Sequence, residues 1–512
     1  MDRSRLLIAL FIGLLAVGGW LFWRDRGSRD HEADRSARRD RGAGTKLADQ
    51  DDFALGGADE GDDDDGEDED LDPLELEVTV DDYGLRAQSR FSVEERERNR
   101  SGFRGRFAGL AQGGDPELAD CLELARWAAD KEIPDLYGLV LRYTLILHSG
   151  SREARRRLAS LRRSLRRLPV DLAAGRDLLT ELGTEFRLLR TPHFRLAYAT
   201  EEPFARQTGV LLEKVYGAFF RFFAARHFEP VPPADRIEVV IFGTREDYRR
   251  HTARFGDHLT STSGVFSSRD NRSYFYDALN EPSLDRARQN IADNVSKLER
   301  YLEDLDQGDP SRSFNITIGG QSYTGISPAR AGQLMRAEIR RQQQEKRRLD
   351  GRYRGRNISR AAHEIVHHLA FAAGIHGLFR KSPSWLMEGL AMHFEAVDLS
   401  SGKWLGPGGG NDARQKGFRR DLEARQQVSL EELVRSDRLF RTGGKPMNRA
   451  YNAAWALFQY LLGHHHDPLF DLMANLSIAV ATERPTEEDR RREFTRVFGP
   501  LPELERRWLR SF

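Results

Sequence analysis

Cysteine is almost absent from this chain: Cys121 stands alone among 512 residues. A single thiol excludes an internal disulfide framework and any cysteine-built metal cluster, so any metal bound here would take histidine and carboxylate ligands. Net charge is missing too. The 80 Lys and Arg offset the 80 Asp and Glu, which removes any global electrostatic argument for a nucleic-acid partner. Length sets the opposite kind of bound. A chain of 512 residues exceeds one ordinary core, so about two to four folded units are expected.

One continuous apolar run, Leu6 to Trp23, is flanked by Arg3 and Arg5 before it and Arg24 and Arg26 after it. It is just long enough to span a bilayer, and Trp20 and Trp23 suit the interface. Residues 1–23 read as a transmembrane signal anchor. A leader cleaved near Ala16-Val17-Gly18 competes, whereas a buried core helix would find nothing to pack on in the residues that follow. Arginines on both sides leave topology open; Arg3 and Arg5 before a leader-like segment favour an exported, periplasmic or extracytoplasmic catalytic domain. Residues 24–72 end in the acidic run Asp62 to Asp70 and read as a disordered tether, with too few apolar side chains to offset ordering entropy. A calcium or basic-partner site would need a loop geometry that this run lacks.

Residues 73–115 read as a linker holding a short strand, Leu74 to Val80. Residues 116–168 form two or three amphipathic helices that resemble one or two tetratricopeptide-type units, too few to stack into a superhelix; they read as a helical adaptor. Around Thr191 the apolar period changes to two. Residues 170–280 form a mixed α/β lobe with strands at Pro192 to Ala199 and Arg236 to Gly243. A helix lies at Phe204 to Phe223, and a hairpin turns at Asp270-Asn271. Residues 281–356 read as a long helical insertion. Its basic stretch lacks the aromatics that base stacking requires, so it reads as a solvated helix face and no nucleic acid is expected. Residues 357–512 form a helical lobe. The fold class is α+β, mostly helical.

The chemistry concentrates at His363-Glu364-Ile365-Val366-His367, an HExxH pattern. An offset of four puts both imidazoles on one helix face, within reach of one ion. Glu364 is rotated by about 100° from His363, close enough to touch a water without being a ligand. Ser359 is the expected N-cap, Ala362, Val366, Leu369, Ala370 and Ala373 the apolar face, and Gly374 the stop. Catalytic zinc needs a third protein ligand. A metzincin-type histidine would fall at Ala373, and His376 fits no local geometry. A second helix is expected from Ser382 as N-cap and Pro383 at N1, with Leu386, Leu390, Ala391 and Phe394 toward the core. Glu388 projects from its first turns, and Gly389 suits close approach to the HExxH helix.

HEIVHH followed by WLMEGLAMHFE resembles the gluzincin pattern, HExxH then WLxEGxA. It is similar to the bacterial peptidase MA-like family, which includes a branch classed as a domain of unknown function. The likeness runs from about Thr191 to the end and is specific in its two-helix core. It implies a gluzincin-like catalytic domain with an α/β lobe and a helical lobe, Zn2+ as cofactor, and Glu388 as the third ligand beside His363 and His367. Members usually carry Tyr where His393 stands here. Glu364 is then the general base. Tyr451 is the candidate oxyanion donor, placed roughly where zinc aminopeptidases have their tyrosine, with His393 as runner-up and a core role as its other reading. Glu395 lies on the same face as Glu388, as partner of a ligand imidazole or as a capping charge. His464-His465-His466 reads as a helix end in solvent, and His193 and His251 carry no role. The expected function is a membrane-tethered zinc metallopeptidase acting on peptide or protein substrates; the alternative is a catalytically inactive peptidase-like scaffold at the membrane.

Overall fold

The computed structural model describes residue 91 and residues 93–512, apart from 113, 115, 166–167, 169–171, 227, 229, 256–261, 309–310, 378–381, 399–400 and 480–484. The anchor, the acidic tether and the Leu74 to Val80 strand lie outside them. Among the described residues no helix is long and apolar enough to cross a membrane.

The first elements are helices α1 (Val93–Gln112), α2 (Leu118–Asp130), α3 (Pro134–Leu147) and α4 (Arg152–Ser164). α1 falls in a stretch expected to be linker. Most of its faces are polar, but Phe103 and Phe107, one turn apart, are fully buried and stack with centroids 5.6 Å apart. Two aromatic anchors outweigh the weak pattern around them. Helical spacing places Cys121, Leu124, Ala125 and Ala128 of α2 against Leu136, Leu139 and Val140 of α3. Ser151 starts α4, its hydroxyl accepting from the Ala154 amide at 3.2 Å.

After α5 (Leu172–Leu182), a five-stranded sheet comprises β1 (Arg187–Arg190), β2 (Phe194–Tyr198), β3 (Ile237–Phe242), β4 (Gly264–Ser267) and β5 (Arg272–Tyr276), in the order β1-β2-β3-β5-β4. The three central strands are parallel and both edge strands antiparallel. Alternation sends Phe194, Leu196, Val239, Ile241 and Phe275 to one face and Ala197, Val240, Tyr274 and Tyr276 to the other. The first face packs on α6 (Glu202–Ala224). The second packs on α5 through Leu178 and on α7 (Arg245–Thr252) through Tyr248. The β4–β5 turn holds Asn271 at φ 56°, as the expected hairpin requires.

The insertion is α8 (Pro282–Asp306), a hairpin of β6 (Phe314–Ile318) and β7 (Gln321–Ile326), and the first half of α9 (Pro328–Ala372). The hairpin has no counterpart in the sequence expectations. Gly319-Gly320, at φ 61° and 84°, supplies the two left-handed residues of its tight turn. α8 runs antiparallel to α9, Arg288 Nε meeting Asp350 Oδ1 at 2.8 Å. α9 is one helix of 45 residues, about 67 Å long at 1.5 Å per residue. Ser359 therefore lies inside it and caps nothing; the N-cap is Ser327, whose hydroxyl accepts from the Arg330 amide. The polar arm upstream of Ser359 simply continues the helix. Gly374, at φ 68°, follows its end as expected.

α10 (Ser384–Phe394) carries Glu388. Its cap is tertiary: the Ser384 amide donates to Asp437 Oδ1 at 2.8 Å, while Pro383 precedes the helix and Ser382 makes no cap. Short strands β8 (Val397–Asp398) and β9 (Lys403–Trp404) lead to α11 (Asp412–Glu423), α12 (Leu430–Arg435), α13 (Gly444–His464), α14 (His466–Ile478), α15 (Glu487–Phe498) and α16 (Leu501–Leu509). Gly389 does permit a close approach, but to α13 rather than to α9. A Cβ there would stand 2.7 Å from Phe458 Cβ and 2.9 Å from Ala454 O. The expected inward stripe of α10 is buried, with Leu386, Leu390, Ala391 and Phe394 at most 1% exposed. From the N-terminal bundle, buried Arg142 of α3 reaches the end of α9. It donates to the carbonyls of Gly374 at 2.7 Å and Ala373 at 3.3 Å, and to Ser477 Oγ at 2.7 Å.

Candidate metal centre

The buried face of α9, expected from its apolar period, seats Ala362, Ile365, Val366 and Leu369 at zero exposure. The polar members of the same two turns therefore face the opposite side, where α10 crosses. His363 Nε2 lies 3.1 Å from His367 Nε2 and 3.2 Å from Glu388 Oε2, and His367 Nε2 lies 3.4 Å from the same oxygen. An ion bound tetrahedrally at 2.0–2.1 Å sets its ligand atoms about 3.3 Å apart. The three side chains already stand at that spacing.

Their chemistry calls for a cation. His363 Nδ1 meets Glu395 Oε2 at 2.8 Å, which places a ring proton on Nδ1 and turns Nε2 toward the cluster. A carboxylate oxygen and two imidazole nitrogens thus converge on one point, the arrangement that a divalent cation satisfies. Burial opposes charge on His363, yet Glu388 and Glu395 raise its pKa well above the ordinary value. Burial likewise opposes the Glu388 carboxylate, but His367 and His363 hold it far below the usual range. The residues present fit a divalent ion of zinc type, with two nitrogens and one oxygen as ligands. Among the described residues, this trio is the group of His, Asp and Glu side chains close enough to hold one.

Glu395 is the partner of a ligand imidazole rather than a helix cap. Its other oxygen accepts from Asn411 Nδ2 at 2.8 Å and Arg414 Nε at 3.2 Å. Burial works against that charge too, but Arg414, His363 and Asn411 bring its pKa down to about 2. A fixed carboxylate of this kind orients the ring it holds. His367 differs, since its Nδ1 is buried without a hydrogen-bond partner among the described residues.

Glu364 and Tyr451 line the same cleft, about 1000 Å³ in volume. Burial raises the pKa of Glu364, with His363 and His367 acting against it, a shift toward the range of a working base. The negative Glu388 comes first among the causes that raise Tyr451 well above its usual value, followed by burial and Glu364, so its hydroxyl keeps its proton. Phe440 packs edge-on to that ring at 5.6 Å, and the Arg414 guanidinium covers it at 5.3 Å. His393, the second candidate for the same role, does not line the cleft; it is buried against Gln459 Nε2 at 2.9 Å and the Phe222 ring.

One wall of the cleft is the edge strand β4, with Gly264, Val265 and Phe266 on it. Among the described residues β4 pairs with β5 alone. Gly264 lets it press on α9, for a Cβ there would fall 2.7 Å from Glu364 Cγ and 2.9 Å from Arg360 Cγ.

Residues 357–485, which hold all three ligand positions, Glu364 and Tyr451, match a family described as "Protein of unknown function (DUF1570)". Comparison with curated proteins and with solved structures gives no match.

Within the DUF1570 segment, His368 has a role that no local spacing signals. It is fully buried, its Nδ1 3.1 Å from Ser273 Oγ and its Nε2 3.1 Å from Asn271 Oδ1, and it stacks on Phe266 at 4.6 Å. Burial lowers its pKa to about 3. One residue beyond His367, it points about 100° away and ties the β4–β5 hairpin to the active helix. Arg414 and Asn411 also went unnoticed; the only signal for Asn411 is its place as the N-cap of α11. Of the other histidines, His464 bonds the Tyr460 carbonyl at the end of α13 and His466 meets Asp467. His193 is held by Glu213 Oε2 at 2.6 Å.

Proposed function

We propose that this chain is a zinc-dependent metallopeptidase of gluzincin type. The observation that carries the reading is the triangle of His363 Nε2, His367 Nε2 and Glu388 Oε2, with sides of 3.1, 3.2 and 3.4 Å, opening into the cleft that Glu364 and Tyr451 line. When bound, zinc supplies Lewis acidity toward a carbonyl oxygen and toward water.

The chain's own groups do the rest. Glu364 takes the proton of the attacking water and returns it to the departing amine. Tyr451 donates its hydroxyl to the carbonyl oxygen as negative charge develops there. Glu395 keeps the His363 ring from turning. The unpaired edge of β4 supports peptide as the substrate class, because an extended chain laid beside it completes a ladder with the scissile carbonyl next to Glu364. The apolar run Leu6 to Trp23 supports a membrane-tethered location on the exported side. Residues 116–168 serve as a helical adaptor, fixed to the catalytic lobe through Arg142.

The test combines zinc stoichiometry with turnover of generic peptides by the full-length wild type and by Glu364→Gln. One zinc per chain with cleavage that disappears in Glu364→Gln at unchanged zinc content supports the enzyme. Equal turnover by both proteins, or bound zinc with no turnover, favours the catalytically inactive scaffold.

A further inference from the structure

Several buried or half-buried arginines of this protein are paired with carboxylates. Arg195 meets Glu238 at 2.6 Å, Arg272 meets Glu181 and Glu238 at 2.6 Å, and Arg490 meets Asp437 at 2.9 Å. The cleft breaks that habit. Arg245, Arg356 and Arg360 line it, and none forms an ion pair with a carboxylate among the described residues. Glu281 is the carboxylate on that side of the cleft, and it is already engaged by the Tyr276 hydroxyl at 2.7 Å and by Ser283.

The three guanidinium groups are placed relative to the chemistry. Arg356 and Arg360 precede His363 by seven and three residues on α9, the same helix face, about 10 Å and 5 Å along the axis. Arg360 is held rigidly. Its Nη1 donates to the Tyr276 carbonyl at 2.8 Å and its guanidinium lies 4.3 Å from the Tyr276 ring centroid. Its stem packs against Gly264 of β4, and its Nε is buried with no hydrogen-bond partner. A fork fixed in place with donors unspent is suited to planar anions. Arg245, at the start of α7, is exposed, as is Arg356. A peptide extended along β4 advances about 3.3 Å per residue, so one to three residues separate this shelf from the bond beside Glu364.

We infer that Arg245, Arg356 and Arg360 form a carboxylate-binding subsite that selects peptides bearing negative charge within about three residues of the cleaved bond. This deepens the peptidase reading and rests on it. The carboxylate comes from an Asp or Glu side chain or from the free C-terminus of the substrate.

The experiment measures binding of fluorescent octapeptide pools to the full-length, zinc-loaded Glu364→Gln chain, which holds peptide without turning it over. Four pools are compared: neutral with an amidated end, acidic with an amidated end, neutral with a free carboxylate, and basic. One of the two carboxylate pools is expected to bind about tenfold more tightly than the neutral amide, less so at high salt, and which one it is identifies the source. The preference falls to parity or reverses toward the basic pool when Arg245→Glu and Arg356→Glu are combined. It persists in Arg340→Gln, an exposed arginine of the same helix outside the cleft. All pools binding within twofold, no pool binding, or a preference that survives the double reversal overturns the subsite. Wild-type cleavage run in parallel separates the two readings. Zinc-dependent cleavage without charge preference removes the subsite and keeps the peptidase; charge-selective binding without cleavage does the reverse.

Discussion

Between Pro328 and about Leu349, α9 lies largely open to solvent, with Ala331, Gly332 and Met335 its buried residues; from Gly355 to Ala370 it buries Asn357, Ala361, Ala362, Ile365, Val366 and five more. Both stretches share one backbone pattern and differ in what surrounds it. The open stretch is rich in Arg, Gln, Glu and Lys, good helix formers that support each other locally, as Glu338 does with Arg341 Nε and Gln342 Nε2 at 2.7 Å. The enclosed stretch holds Asn, Ile, Val and several histidines, weaker formers. It is helical because its apolar face is packed and because Asn357 ties it to Asp277 Oδ1 and the Ala278 amide at 2.8 and 2.9 Å. His363, Glu364 and His367 sit in the half that packing holds still.

The sharpest way to break this contrast is catalytic. Glu364→Gln lowers kcat/KM by about 10²–10⁴-fold, whereas Glu338→Gln in the open half leaves peptide turnover unchanged. Equal losses would mean that the arm takes part in the chemistry. In stability, Ile365→Ala costs about 2–5 kcal/mol through the cavity it leaves, and Arg340→Ala stays within about 0.5 kcal/mol; urea unfolding at fixed zinc compares them. Zinc held at a hundred times its Kd adds about 2.7 kcal/mol. Hydrogen exchange places that gain, with slower exchange expected at 359–370 and none at 336–348. Glycine gives the smallest test, with opposite signs. Gly389→Ala in the enclosed region destabilises by about 1–3 kcal/mol, since the added methyl meets Phe458 and the Ala454 carbonyl. Gly332→Ala in the open half stabilises by about 0.5–1 kcal/mol, because its nearest contact is the mobile end of Arg336.

What could be read from the sequence was whatever local spacing encodes. The HExxH offset, the inward stripes of α9 and α10, the Asp270-Asn271 turn and the position of Glu388 all depend on residues within a few turns of one another. The misreadings have the same origin. A serine ahead of an apolar face looks like a cap, so Ser359 was assigned a helix start that belongs to Ser327; Ser382 was given a role that Asp437 performs from 53 positions away in the fold of another segment. His368 bonds residues 95 and 97 positions distant, and the arginine shelf assembles from α7 and α9. None of these pairings leaves a periodic trace. Gly389 announced a close contact without saying with which helix.

Arg142 gives the arrangement a consequence for how this chain can be divided. The carbonyls of Ala373 and Gly374, just past the end of α9, accept from a cation contributed from 231 and 232 positions earlier, across what composition alone would mark as a border between modules. A gene fragment beginning after α4 would encode His363, His367 and Glu388 and still leave the Ala373 and Gly374 carbonyls and Ser477 Oγ without the guanidinium that they share. A graft of the helical bundle or of the lobe that holds α9 onto foreign neighbours therefore has to bring a substitute for one buried guanidinium.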